Sequence, residues 1–360
     1  MTDVKKVSIT HFNLLKELDN NKDLQKCINV TKNLDYDILY LLPKGNKTTV
    51  SFELTNSNAD IANGIRRCVI DEIPVKSFDF DEYKDLDSDD PFILCDFIKK
   101  QIDLLCIHQE YDYRGLKISL VKENTSDEII DVRSDDIIIV KGEDAIIKQK
   151  DIVNIIEKNI VLCRLRPGKY IKINNIKIVE GNGRTDAGKF NSVSNFTYKI
   201  LDVDPIVDTR LGQDGVSSMR SNPKHFYLSY TTHRNFNNAA LIMVKCCDAL
   251  NNRLDNILTE MEKITNSTTE YDSKLIKVES SGASMKKIHF KHEYWTIVNL
   301  IARYCFILTK GDIPYVSAAL IHPEKETGIV NISHPEFATL IKNSIKKIIT
   351  EFKTIKKSFL

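Results

Sequence analysis

Ile61-Ala-Asn-Gly-Ile-Arg-Arg67 is spelled again far downstream as Ile297-Val-Asn-Leu-Ile-Ala-Arg303, and both stretches read Ile-x-Asn-x-Ile-x-Arg. A Val/Phe-bearing segment precedes each (Val50, Phe52 and Leu54; Ile288 and Phe290), and Ile-Pro follows each (Ile73-Pro74; Ile313-Pro314). Two copies, not many, point to a duplicated strand-helix unit and not to a solenoid. Within a unit the Ile residues fall on one helical face, while Asn and Arg, one turn apart, share another. One face is built to pack; its neighbour offers hydrogen-bond donors.

Working outward from the first copy, Thr48 to Thr55 alternates as a strand and Asn56-Ser-Asn58 supplies capping chemistry for a helix from Asp60 to Asp71. That helix has to stop before Pro74, which disfavours helix at the residue preceding it. Around the second copy, Leu275 to Val278 and Met285 to Lys291 read as a hairpin about Ser280-Ser-Gly282. A helix follows from Tyr294 to Leu308, then strands at Val316 to Ile321 and Gly328 to Ile332. Ser333-His-Pro-Glu336 has the spacing of a capping box. Phe337, Leu340, Ile341, Ile345, Ile348, Ile349, Phe352 and Ile355 then give the last helix one apolar stripe, with Lys residues crowding its C-terminus. After a strand at Phe226 to Thr231, the spacing of Ala240, Met243, Cys247, Leu250, Leu254, Ile257, Met261 and Ile264 predicts the longest helix of the chain, with a seam long enough to ask for a partner helix.

Between these units the chain changes character. The acidic stretch from Asp79 to Asp90 lacks the Gly and the bidentate Glu of a calcium loop and reads as a solvated loop. An amphipathic helix is expected from Pro91 through Phe92, Cys95, Ile98 and Ile102 towards Leu105, then small-sheet strands at Leu116 to Val121 and Ile137 to Val140. The strand carrying Tyr170, Ile171, Ile173, Ile176 and Ile178 ends in Gly181-Asn-Gly-Arg-Thr-Asp-Ala-Gly-Lys-Phe190. That Gly-x-Gly is a weak dinucleotide signal, since no helix start or βαβ unit follows it. Residues 202 to 224 read as a long surface loop.

With 51 Lys+Arg against 50 Asp+Glu, the net charge of +1 speaks against an independent nucleic-acid binder, which carries a basic surplus. The eight cysteines are scattered without a Cys-x-x-Cys, which argues against a zinc ribbon or a disulfide framework. No cofactor or metal site is expected. His289 and His292 are expected on one strand pointing to opposite faces, so they give catalysis no convergent pair. No apolar run reaches membrane-spanning length and the N-terminus has no signal core, so an intracellular protein is expected.

Four stretches, in this order, resemble the alpha-type assembly subunits of multi-subunit DNA-dependent RNA polymerases. They are Leu54-Thr-Asn-Ser-Asn-Ala-Asp-Ile-Ala-Asn-Gly-Ile-Arg-Arg67 with Asp71-Glu-Ile-Pro74, then Asp96-Phe-Ile-Lys-Lys-Gln-Ile-Asp-Leu-Leu105, then Leu165-Arg-Pro-Gly-Lys-Tyr-Ile-Lys-Ile173, and the Gly181 to Phe190 loop. From about residue 271 the chain is similar to the smaller alpha-like partner, with His322-Pro and a terminal helix, so the whole resembles a fusion of the two, an arrangement of large cytoplasmic DNA viruses. It departs at Gln101, Asp103 and Cys106, where the family has Arg, Gly and Pro, and at Asp186, where it has His.

The resemblance implies an α+β class in which an alpha-subunit-like dimerisation fold forms as an internal pseudo-dimer with an inserted, mainly β domain. Residues 1-85 and 225-270 would be the larger alpha-like domain, 86-224 the insert with its connecting loop, and 271-360 the smaller domain. Ile61, Ile65, Leu250, Leu254, Ile257, Ile297, Asn299, Ile301 and Arg303 would hold the internal pseudo-dimer together. Asn63, Arg66, Arg67, Pro74, Gly181, Gly183, Arg184, Lys189 and Phe190 would face other subunits. The function implied is a non-catalytic platform of a DNA-directed RNA polymerase that docks its two largest subunits and neighbours small zinc-binding ones. DNA would be met only through the complex and no membrane would be involved; the location would be host cytoplasm and virion. The alternative is a free-standing nucleic-acid-associated or protein-interaction scaffold unrelated to polymerase.

Overall fold

The computed structural model describes residues 2–12, 47–141, 145–146, 155–157, 159–202, 223–232, 239–281, 285–322 and 325–360. The chain opens with β1 (Asp3–Phe12) and β2 (Lys47–Thr55), followed by α1 (Ala59–Asp71). A middle group holds β3 (Val75–Asp79), β4 (Leu86–Ser88), α2 (Cys95–Asp103), β5 (Leu116–Glu123), β6 (Ile130–Arg133), β7 (Ile137–Lys141), β8 (Ala145–Ile146), β9 (Val161–Leu165) and β10 (Tyr170–Gly181). Next come β11 (Asn195–Ile200), β12 (Phe226–Thr232) and α3 (Leu241–Met261). The last group is β13 (Tyr271–Asp272), β14 (Ile276–Ser281), β15 (Met285–Lys291), α4 (Trp295–Leu308), β16 (Tyr315–Leu320), β17 (Thr327–Ser333) and α5 (Phe337–Lys357).

Among the described residues this is a mixed α+β architecture of five α-helices and four sheets, every strand pair antiparallel. The first sheet runs β1-β2-β12-β11 and the third β13-β14-β15-β17-β16. With β13 set aside, the two orders correspond strand for strand. The helices correspond too: α1 follows β2 as α4 follows β15, and α3 follows β12 as α5 follows β17. α1 packs on α3 and on α4, and α5 packs on α3 and on α4, so the four close a ring. One apolar core runs through both sheets and all four helices, from Val50, Phe52 and Leu54 to Ile348, Phe352 and Ile355. The partner helix that the α3 seam asks for is α5. At 21 residues α5 equals α3, so α3 is not the longest helix by itself.

The middle group builds its own sheet, β3-β10-β5-β7-β8 with β4 also on β10, and a β6-β9 pair. Its core of Phe78, Ile98, Ile102, Leu120, Ile139, Ile173 and neighbours is separate from the first. β3, before residue 86, pairs within this sheet, while β11, inside 86–224, completes the first sheet. The expected loop over 202–224, except for its ends, lies outside the described residues, as do the Pro43 turn, Gly282 and Pro323. No helix among the described residues is long and apolar enough to cross a membrane.

Several expectations are corrected. α2 begins at Cys95, not Pro91, because the Asp90 carboxylate accepts from Phe92 N at 3.1 Å and Asp90 O from Ile93 N at 3.0 Å, which fixes a turn there. Phe92 is 75% exposed and Cys95 half-buried, so the buried stripe is Ile98 and Ile102, continued past the helix end by Leu105. Ser333 to Glu336 forms no capping box: α5 starts at Phe337 without a side-chain cap from its N-cap residue. Instead Asn266 Oδ1, from the segment after α3, accepts from Ala338 N at 3.0 Å and Thr339 N at 3.2 Å. The acidic stretch is not merely solvated, since Asp79, Asp81, Asp89 and Asp90 each pair with a Lys or Arg. His292 lies past the end of β15, exposed and at φ 63°, so only His289 is on the strand.

Candidate functional site

α1 is positioned from its first turn. Asn58 Oδ1 accepts from Ile61 N at 3.0 Å, the expected cap, and its amide donates to Tyr304 OH of α4 at 3.2 Å. Ile61 and Ile65 are fully buried, and Gly64 lets α4 approach: a Cβ there would meet Leu300 at 3.5 Å and Thr296 at 3.6 Å. With the inner face fixed, Asn63, Arg66 and Arg67 are left on the half-buried outer one. Arg66 Nε and Nη2 donate to Asn63 Oδ1 at 3.2 and 2.9 Å, the one-turn pairing their spacing allows. Arg67 has no hydrogen-bonding or ionic partner, and Arg66 no carboxylate, among the described residues. Two neighbouring guanidiniums therefore stand without an anion among the described residues.

The other sequence-singled residues gather at the far end of this helix. The loop after β10 lies against it: Arg184 N donates to Asp71 O at 3.1 Å, and Ser192 Oγ to Val69 O at 2.6 Å. Gly181 leaves room for the Phe190 ring and Gly183 for the carbonyl of Ile70, each too close for a Cβ. Arg184 Nη2 reaches Glu72 Oε1 at 2.9 Å and its guanidinium lies 5.1 Å from the Tyr294 ring centre. Glu72 also receives Arg253 of α3, which in turn donates through Nε to Glu293 Oε1 at 3.0 Å. One chain of charges thus links the loop, α1, α3 and the approach to α4. Burial pushes the Glu72 carboxyl up, and Arg253 and Arg184 more than reverse this, holding it below its ordinary value. At Glu293 burial prevails over Arg253 and the carboxyl is held above its ordinary value.

Lys189 and Phe190 turn inward and are nearly buried. Lys189 Nζ contacts Asp79 at 2.7 Å and Asp103 at 3.1 Å, and Lys99 bridges the same two carboxylates. Burial raises Asp79, and Lys189 with Lys99 outweighs it, so its carboxyl ends below the ordinary value. Pro74 is exposed beyond the end of α1. Asn63, Arg66 and Arg67 therefore form one cluster, and Gly181, Gly183, Arg184, Lys189 and Phe190 a second one that ties the loop down.

Of the residues expected inside the ring, Ile297, Ile301, Leu250, Leu254 and Ile257 are buried in the common core. Asn299 is half-buried, and Arg303 Nε stands 3.8 Å from Asp60 Oδ2 of α1. Glu72, Arg253, Glu293, Asp79 and Asp103 belong to the clusters without having been expected there. Glu72, inside the Asp71-Glu-Ile-Pro74 stretch, Asp103, where the resembled family has Gly, and Asp79, at the head of the acidic stretch, each carried a sequence signal; Arg253 and Glu293 carried none. Among the described residues no group of three or more His, Cys, Asp or Glu is placed to hold a metal ion. Neither protein-family models nor curated proteins provide a match for this chain.

Proposed function

We propose that the chain is a non-catalytic assembly platform of a multi-subunit DNA-dependent RNA polymerase, a larger and a smaller alpha-like subunit fused in one chain, docking the two largest, catalytic subunits. The observation that carries this reading is the strand-for-strand correspondence of the first and third sheets, with the two Ile-x-Asn-x-Ile-x-Arg helices, α1 and α4, in equivalent places and packed on each other. Two alpha-type dimerisation domains joined as an internal pseudo-dimer would have this arrangement, with the middle sheet as the inserted domain. Fusion replaces a bimolecular association by an intramolecular one.

On this reading Asn63, Arg66 and Arg67 form the docking face. An arginine pair without a carboxylate partner among the described residues suits bidentate carboxylates on a partner. Nucleotidyl transfer belongs to the large subunits, small zinc-binding subunits are neighbours, and a viral source places the complex in host cytoplasm and virion. The test is affinity purification of the tagged chain with mass spectrometry of its partners. The wild type recovers the two largest polymerase subunits. Arg66→Glu with Arg67→Glu loses them while the unfolding free energy from urea titration stays within about 0.5 kcal/mol of wild type, as expected of changes outside the core. Recovery of neither subunit by the wild type, or RNA synthesis by the purified chain alone, overturns the reading.

A further inference from the structure

α5 has a second stripe opposite its apolar one. Thr339, Asn343, Lys346, Thr350, Lys353 and Lys357 follow at alternating spacings of four and three, and all six are exposed. At 1.5 Å per residue they form a line roughly 27 Å long. Every member carries a hydrogen-bond donor, that of Thr350 being given to Lys346 O at 2.8 Å, and none is apolar or acidic. The only carboxylate of the helix, Glu351, is buried and accepts from Thr2 Oγ1 at 2.6 Å. Lys342 and Lys356 are engaged, by Ile264 O and by Asp248 of the neighbouring α3. Lys346, Lys347, Lys353 and Lys357 have no ionic partner among the described residues. The helix dipole accounts for a lysine in the last turn but not for Lys346 and Lys347 in mid-helix.

We propose that this face of α5 contacts the phosphate backbone of duplex nucleic acid, independently of the docking function above. The anchors of protein contacts are enriched in Trp, Tyr and Arg, as in the arginine pair of α1, and the stripe has none of the three. A phosphate backbone asks only for evenly spread cations and donors, without sequence preference. With a net charge of +1 the rest of the chain adds no general attraction, so the contact is weak by itself and local.

The test is fluorescence anisotropy of a labelled duplex of random sequence titrated with the full-length chain across a salt series. Neutralising three to four phosphates gives a log–log salt slope near −3, so affinity falls by roughly 60-fold between 50 and 200 mM salt. Lys346→Glu with Lys353→Glu and Lys357→Glu is expected to weaken binding at 50 mM at least ~10-fold and bring the slope near zero. The charge-matched control Lys117→Glu with Lys172→Glu and Lys177→Glu, exposed on the middle sheet, is expected to keep both. Thermal melts of both variants check the fold. No binding by the wild type at 25 mM salt, equal loss in the control, or preference for polyglutamate over the duplex at matched charge overturns the proposal.

Discussion

Gly183 sits where the loop after β10 meets the last turn of α1, and a Cβ there would lie 2.9 Å from Ile70 O and 3.0 Å from Asp71 Cα. Both are backbone atoms of a packed helix and cannot swing aside. Gly183→Ala is expected to destabilise by about 1–3 kcal/mol, the usual cost of overpacking, read as a lower urea midpoint at unchanged slope; an unchanged midpoint would mean that the loop lifts from α1 freely. In the sequence this glycine resembled half of a weak phosphate-binding turn, because its constraint comes from a helix end more than a hundred residues earlier. Asp103 stands where the resembled family has glycine, and it receives Lys189 and Lys99 together with Asp79. The Asp79 carboxyl is depressed in the folded chain, so this stabilisation is complete above the unfolded carboxylate pKa of about 4. It is lost as pH falls through the lower folded value. Thermal melts from pH 7 to pH 2.5 should fall steeply only below about pH 4, and Asp79→Asn should flatten part of that fall. A variant with the wild-type slope would exclude the contribution.

Elements were legible where burial is one-sided and periodic. The stripes of α1, α3, α4 and α5 and the alternation of β2, β10, β12, β15 and β17 all appeared within a few residues of their places, because each buries a long apolar face, β10 in the core of the middle group and the others in the core shared by the first and third sheets. β1 and β11 did not. β11 lies at an edge of the first sheet and buries only Phe196 fully, which leaves little alternation to read. The Asn63–Arg66 pairing was legible because one helical turn sets it, whereas the Glu72, Arg253 and Glu293 chain joins three distant segments and has no spacing. The start of α5 was misjudged for a similar reason: its cap is Asn266, contributed across the ring. Asn266→Ala should therefore cost about 0.5–2 kcal/mol, the range for a lost helix cap, measured by equilibrium urea unfolding. A cost near zero would show that water serves the first turn of α5 equally well.

For the molecule as a whole, the ring of α1, α3, α5 and α4 means that neither half owns its core. α1 packs on α4 and α3 on α5, and α5 also reaches β1 while α3 reaches β14, so each half's long helix touches the other half's sheet. The join between halves, by contrast, is thin: Ser267, Thr269 and Glu270 are exposed and follow the Asn266 cap. Breaking the chain between Thr269 and Glu270 should remove only the tether. Contacts that cross the cut are kept, among them Lys286 Nζ to Thr268 O at 3.1 Å and Ser280 Oγ to Thr269 O at 2.9 Å. Residues 1–269 and 270–360, expressed together, are expected to purify as a one-to-one complex. A short tether holds its ends at an effective concentration in the millimolar range. At micromolar protein the severed pair is thus less stable by RT ln 1,000, about 4 kcal/mol, and its melting temperature rises with concentration, unlike that of the intact chain. Expressed singly, each fragment would expose one side of the helix ring and should aggregate or stay unfolded. Residues 1–269 remaining soluble, monomeric and cooperatively folded by themselves would mean that the first half closes its own core, and the two halves would then be neighbouring domains and not one shared fold.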